Sequence, residues 1–142
     1  MTIPVIAAAT GAIIIILQAL LMVMAGAYRA KSGINMGTGD DPVMERKIRR
    51  HGNLAENAGL FIAVLALAEM TVVPDNIVQI IAIVFVVARI SHAIALSSVA
   101  GSHGGTSGNG GKFFVVARVI GAFGTLASFL ALGGFLLNGL IR

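Results

Sequence analysis

The chain has no cysteine and no tryptophan, a single tyrosine, and few charges: 11% of its 142 residues are Asp, Glu, Lys or Arg. Without cysteine there are no disulfides, and any thiol chemistry must use a thiol that a ligand brings. A soluble domain carries roughly 25% charged residues, so the deficit argues against one. What fills the chain is apolar: 57% hydrophobic residues and a mean hydropathy of +0.95. Four spans of roughly 20 apolar residues would use more than half the chain and leave little for a soluble unit. Residues 1–142 therefore read as a single membrane domain with short connections.

The formal net charge is +4 and the isoelectric point about 10.4. In a soluble protein this would point to nucleic acid. Here the basic residues cluster beside apolar segments, so no nucleic-acid partner is expected and orientation in the bilayer explains them better. The stretch from Met1 to Tyr28 carries no charge; it lacks the basic n-region of a cleavable signal and is long enough to span.

The expected fold is all-α: an integral membrane protein built as a four-transmembrane-helix bundle, with helices at about 3–28, 43–73, 77–100 and 113–141. The first connection, KSGINMGTGDDP, is a turn region by composition, and Asp41-Pro42 opens the second helix with Pro at its first position. Pro74, Asp75 and Asn76 make the next turn, with Asp75 or Asn76 as N-cap. The second long connection, GSHGGTSGNGG, reads as a flexible linker, and His103 within it as solvated. The base of the first two segments holds Arg29, Lys31, Arg46, Lys47, Arg49 and Arg50; the short turn between segments two and three has no Lys or Arg. By the positive-inside rule both long loops are cytoplasmic and both termini non-cytoplasmic, although Arg142 points weakly the other way.

Ionisable residues within a span are costly and are functional candidates by default. This chain carries Arg49, Arg50, His51, Glu56, Arg89, His92 and Arg118 in its segments. At about 1.5 Å per residue all fall in the cytoplasmic half of their helices. At about 100° per residue Glu45, Arg49, Asn53 and Glu56 share one stripe of segment two, while Lys47 and His51 point the opposite way. Arg89, His92 and Leu96 share a face of segment three, and Arg118, Ala122 and Thr125 one of segment four. Three helices thus turn polar stripes towards one depth, as expected for a shared cavity open to the cytoplasm.

The plainer reading is an ion pair, Glu56 with Arg89 or Arg118, that merely holds the bundle together. It accounts poorly for the whole set, because the positive charges outnumber Glu56. A surplus of buried positive charge implies an anionic ligand. His51 and His92 with one Glu have no metal-ligand spacing, so no metal is expected. The Gly-rich loop is not a P-loop, since Phe113 follows Lys112 where Ser or Thr is needed, and no Ser–His–Asp set is visible. The small residues Gly121, Gly124, Ser128, Gly133 and Gly134 read as close helix packing.

The segment MERKIRRHGNLAEN, through Glu45-Arg46, Arg49, His51, Asn53 and Glu56, resembles the second-helix signature of the MAPEG family, the membrane-associated proteins of eicosanoid and glutathione metabolism. ARISHAIAL, with Arg89 and His92, resembles the family's third helix, and Arg118 in VVARVIGAF its fourth-helix arginine. The resemblance spans essentially the whole chain and is nearest to small bacterial members. It implies a homotrimer in the bilayer, here a bacterial inner membrane, with glutathione as co-substrate bound between adjacent protomers near the cytoplasmic side. By position, Arg49, His51, Asn53 and Glu56 would bind glutathione from helix two, Arg89 and His92 from helix three, and Arg29 from helix one. Arg118 would be catalytic, lowering the thiol pKa. The sequence departs from several eukaryotic relatives, which have tyrosines at the positions of Leu96 and Ala122.

The first expectation is a glutathione transferase, with or without peroxidase activity, that detoxifies lipophilic electrophiles. A second is a non-catalytic protein of the same fold that binds an anionic thiol or lipid ligand. A small transporter ranks last, because the outer halves of the segments look too apolar for a continuous polar path.

Overall fold

The computed structural model describes residues 3–99 and 109–141. These residues form helices α1 (Val5–Ser32), α2 (Pro42–Met70), α3 (Asp75–Ala95) and α4 (Asn109–Ile141), and no strand. All four are long and apolar enough to cross a membrane. The chain is thus an all-α membrane bundle, as its composition requires.

The helix ends follow local chemistry, and several differ from the expected bounds. α1 continues one turn beyond Tyr28, because Arg29 and Lys31 favour a helix C-terminus and the helix stops only at Gly33. That residue takes the left-handed conformation (φ 72°), and its N–H donates to the Arg29 carbonyl. Asp41 caps α2, its carboxylate accepting from the N–H groups of Val43 (2.7 Å) and Met44 (3.1 Å). The Tyr28 hydroxyl donates to the same carboxylate at 2.8 Å, and the Lys47 ammonium lies 5.3 Å from the Tyr28 ring centre. The two helices that enclose the first connection are therefore clasped at their base. The hydrogen bonds from Tyr28 and the two amides hold the Asp41 carboxyl below the usual aspartate range. At the next turn Pro74 is the N-cap of α3, with no side-chain cap bond, and Asp75 lies inside the first turn. The expectation of Asp75 or Asn76 as cap is corrected: the Pro74 carbonyl already accepts from Ile77 and Val78.

The helices run alternately up and down, so α1 and α3 end where α2 and α4 begin. α3 and α4 approach most closely. A Cβ on Gly121 would lie 2.7–2.8 Å from His92 atoms, two of them backbone, and one on Gly124 would lie 2.9 Å from the Ala88 Cβ. In a membrane, where burial from water does not drive helix association, such close contact is a main source of cohesion. A Cβ on Gly133 or Gly134 would meet no described atom within 4 Å, so of the expected small-residue pattern Gly121 and Gly124 make the close interhelical approach. Phe61, Phe85 and Phe129 stack across α2, α3 and α4, the first two with ring centres 3.7 Å apart. The outward faces of all four helices expose large apolar residues, such as Ile15, Leu60, Ile80 and Phe123. In water this would be an aggregating surface; in a bilayer it faces lipid.

At the end remote from the first connection, the Glu69 carboxylate accepts the N–H groups of Ile6 and Ala7, both at 2.8 Å. The N-cap residue of α1, Pro4, offers no side-chain bond. A carboxylate from the last turn of α2 thus satisfies the amides and the positive dipole end of α1.

Candidate functional site

The polar stripes converge as their spacing predicts. Their meeting point is a cavity of about 460 Å³ at the end of the bundle where α2 and α4 begin. α2 lines it with Glu45, Arg46, Ile48, Arg49, Gly52, Asn53 and Glu56; α3 contributes His92 and Leu96, and α4 contributes Arg118. The α2 residues recur every three or four positions, one stripe of a 3.6-residue helix. Arg49, Glu56 and Arg118 are exposed, His92 and Asn53 are partly buried, and Leu96 is buried. The cavity therefore has a deep wall and an open side.

Behind that wall lies Arg89, only 3% exposed. Its guanidinium donates to the Asn53 Oδ1 through a short contact and to the Thr125 hydroxyl at 3.0 Å. Its Nε, also buried, has no partner among the described residues. The Thr125 hydroxyl in turn donates to the Gly121 carbonyl at 2.7 Å. This corrects the simple ion-pair reading for Arg89: the guanidinium is committed to neutral acceptors on α2 and α4, not to Glu56. It also places Arg89 behind the cavity lining, with Asn53 between it and the open space. Such a buried cation leaves the site with an unbalanced positive field.

Two residues of the expected set point elsewhere. Arg29 donates to the carbonyls of Ile34 (3.2 Å) and Gly37 (3.1 Å) and so organises the first connection. The backbone carbonyl of His51 accepts from the Gln18 amide of α1 at 3.4 Å. Neither lines the cavity of the protomer. The helical wheel already sets His51 opposite Arg49; the placement of Arg29 depends on a loop that no periodicity describes.

Sequence reasoning missed two roles. Arg50, on the flank of the stripe, donates its Nε–H to the Ala93 carbonyl at 2.8 Å. The chain after α3 tightens, with Leu96, Ser97 and Ser98 donating to His92, Ile94 and Ala95. That skips the Ala93 carbonyl, and Arg50 satisfies it, a cation at a helix C-terminus. The other is the Glu69 cap. The signal in both cases was an ionisable residue off the main stripe within a span. His103 lies outside the described residues.

The chain matches the MAPEG family, over residues 6–138. It belongs to the MAPEG family. No curated protein matches it closely enough to count as a relative. Membership makes this a membrane protein of the glutathione and eicosanoid metabolism family, and it gives the cavity a chemical context. Of the signature residues on α2, Glu45, Arg46, Arg49, Asn53 and Glu56 line it, together with His92 and Arg118. Where several eukaryotic MAPEG proteins resemble one another in carrying a tyrosine, this chain presents Leu96 to the cavity, and Ala122 stands exposed one turn beyond Arg118. Among the described residues no three His, Asp or Glu side chains gather to hold a metal ion.

Proposed function

We propose that this MAPEG protein is a membrane-bound glutathione transferase that conjugates the glutathione thiolate to lipophilic electrophiles. The observation that carries the reading is the cavity lined by Arg46, Arg49, Arg118 and His92 with Glu45 and Glu56, backed by the buried, carboxylate-free Arg89. Glutathione carries two carboxylates, one ammonium and a thiol. Arginine binds carboxylates bidentately, and Glu45 or Glu56 can accept the ammonium. A thiol attacks only as thiolate, and a neighbouring guanidinium lowers its pKa. Arg118 is the group for that task, because arginine stays protonated and gives up no proton of its own. The reading includes a homotrimer, with the open side of each cavity completed by a neighbour whose Arg29 and His51 reach the ligand. The cavity faces the cytoplasm of a bacterial inner membrane.

A thermal-shift titration of the detergent-purified protein with glutathione, and with S-methyl glutathione, tests this. A ligand that binds only the folded state raises its stability by mass action. A saturable shift is expected, and it is lost in Arg49→Ala and in Glu56→Ala. No shift at millimolar ligand would remove glutathione from the proposal. Arg118→Ala should retain binding and lose conjugation; unchanged conjugation would strip Arg118 of its role.

One observation favours a second reading, a binding protein without turnover: among the described residues no Ser, Thr or Tyr hydroxyl lines the cavity. Glutathione binding with no conjugation across a broad electrophile panel would select it. Turnover of several panel members would eliminate it.

A further inference from the structure

Beside the cavity, α2 is tied to α3 at two levels. The deeper tie runs from the Arg89 guanidinium to Asn53. The other runs from the Arg50 Nε–H to the Ala93 carbonyl at 2.8 Å. Arg50 precedes Asn53 on α2 and Ala93 follows Arg89 on α3, by three and four residues. In this antiparallel pair the second tie therefore lies roughly one turn, about 5 Å, nearer the end where the cavity sits. Arg50 itself is partly buried and does not line the cavity; α2 turns Arg49, Gly52 and Asn53 towards it.

The Ala93 carbonyl is open to Arg50 because α3 tightens there. In a continuing α-helix this carbonyl would accept from the Ser97 N–H. Instead the Ser97 N–H donates to the Ile94 carbonyl at 3.0 Å, and the Ser97 hydroxyl donates to the same oxygen at 2.6 Å. Ala93 is only 6% exposed, and a buried carbonyl needs a donor. Arg50 supplies it from the neighbouring helix. Flanking Ala93 in the chain, His92 and Leu96 line the cavity. On its other side this turn rests on α4, where a Cβ on Gly121 would lie 2.8 Å from the His92 backbone. The last turn of α3 is thus gripped by α4 at His92 and by α2 at Ala93. Without Arg50 the second grip is lost, and the Ser97 N–H is free to return to the Ala93 carbonyl and draw the turn back into a regular helix. That rearrangement begins within the turn that carries the α3 wall of the cavity.

We propose, resting on the glutathione transferase reading, that Arg50 is a positioning residue for the glutathione site. It touches no ligand. Its Nε–H fixes the last turn of α3 against α2 and so sets where His92 and Leu96 stand. The role belongs to the hydrogen bond, not to the charge. It acts on glutathione affinity and not on the chemical step, because the thiol-activating Arg118 is on α4, held to α3 separately through Gly121 and Gly124. A wall that binds ground state and transition state alike changes KM and leaves kcat.

The test compares Arg50→Gln and Arg50→Met with the unsubstituted full chain in detergent, with glutathione varied against chlorodinitrobenzene. Glutamine carries its amide nitrogen at the same place along the side chain as the arginine Nε, so it keeps an N–H donor without the charge; methionine keeps the length and has no donor. Arg50→Met should raise the KM for glutathione about tenfold or more, the size of effect that loss of one charge-assisted hydrogen bond produces, with kcat within about twofold. Arg50→Gln should keep KM within about threefold of the unsubstituted protein. An equal rise in both variants overturns the inference, since the charge would then be what matters. An unchanged KM in Arg50→Met overturns it too, as does a fall in kcat at constant KM. Should Arg50→Met fail to fold, Arg50→Gln decides alone: KM near that of the unsubstituted protein upholds the inference, and a folded protein with KM raised about tenfold defeats it. Absence of turnover by the unsubstituted chain, with this and with a broad electrophile panel, defeats the transferase reading and this inference with it; the other outcomes defeat the inference alone.

Discussion

Arg89 brings a full charge into an interior where the described residues offer it an amide oxygen and a hydroxyl. A buried cation without a carboxylate is tolerated at a cost, and replacing it with an apolar side chain of similar length is often neutral or stabilising. Arg89→Met should therefore leave the ligand-free melting temperature level or raised, while the shift caused by glutathione shrinks. A collapse of the ligand-free protein would show that Arg89 holds the bundle together and does not tune the site. Arg89→Lys should restore little, because an ammonium cannot span Asn53 and Thr125 as the planar fork does. Asp41 works differently. Its carboxyl is held below the usual aspartate range by the Tyr28 hydroxyl and the amides of α2. The stability it contributes is thus fully present above the ordinary aspartate pKa of about 3.9 and is lost as pH falls through the lowered folded value. Asp41→Asn keeps an N-capping oxygen but cannot ionise. Melting temperatures of the two proteins should differ by a constant amount from neutral pH down to about 5 and converge below about 4; a gap that persists in acid would assign the effect to shape.

Among the elements, α3 and α4 are joined through glycine. A side chain at Gly121 would press on the His92 backbone, which cannot swing aside. Overpacking of this kind costs about 1–3 kcal/mol, so Gly121→Ala should lower the melting temperature clearly. Gly133→Ala meets nothing within 4 Å and should be neutral or slightly stabilising, by up to about 1 kcal/mol of helix propensity. Equal effects at the two positions would argue against the close approach. α1 depends on α2 at its far end. Glu69→Ala leaves the Ile6 and Ala7 amides without their acceptor, a loss of about 1–3 kcal/mol for a buried group. Glu69→Gln keeps one acceptor oxygen and should lose less. Hydrogen exchange at the first turn of α1 measures both, and unchanged protection in Glu69→Ala would rule out the cap.

For the whole molecule, the decisive quantity is orientation. Six of the ten Lys and Arg residues, Arg29, Lys31, Arg46, Lys47, Arg49 and Arg50, flank or follow the first connection. Under the proposed topology, read from the positive-inside rule, the cavity end faces the cytoplasm. A reporter fused after Arg142 should be non-cytoplasmic; a cytoplasmic signal would invert the proposed topology and separate the cavity from its thiol supply. The open side of the cavity, with Arg49, Glu56 and Arg118 exposed, is consistent with a neighbour completing it, and native mass spectrometry should report three protomers.

Composition and periodicity alone determined the class, the four helices and the convergence of Arg49, Asn53, Glu56, His92 and Arg118. Apolar runs of spanning length leave few alternatives in a bilayer, and a 3.6-residue repeat sets which side chains share a face. What periodicity cannot express is who meets whom across helices. It could not tell that Arg89 would spend its guanidinium on Asn53 and Thr125, that Arg50 would take the carbonyl the end of α3 leaves open, or that Glu69 would cap a helix more than sixty residues away. Nor could it separate Gly121 from Gly133, identical residues on the same helix. Those outcomes depend on interhelical distance and register, and only the tertiary structure decides them.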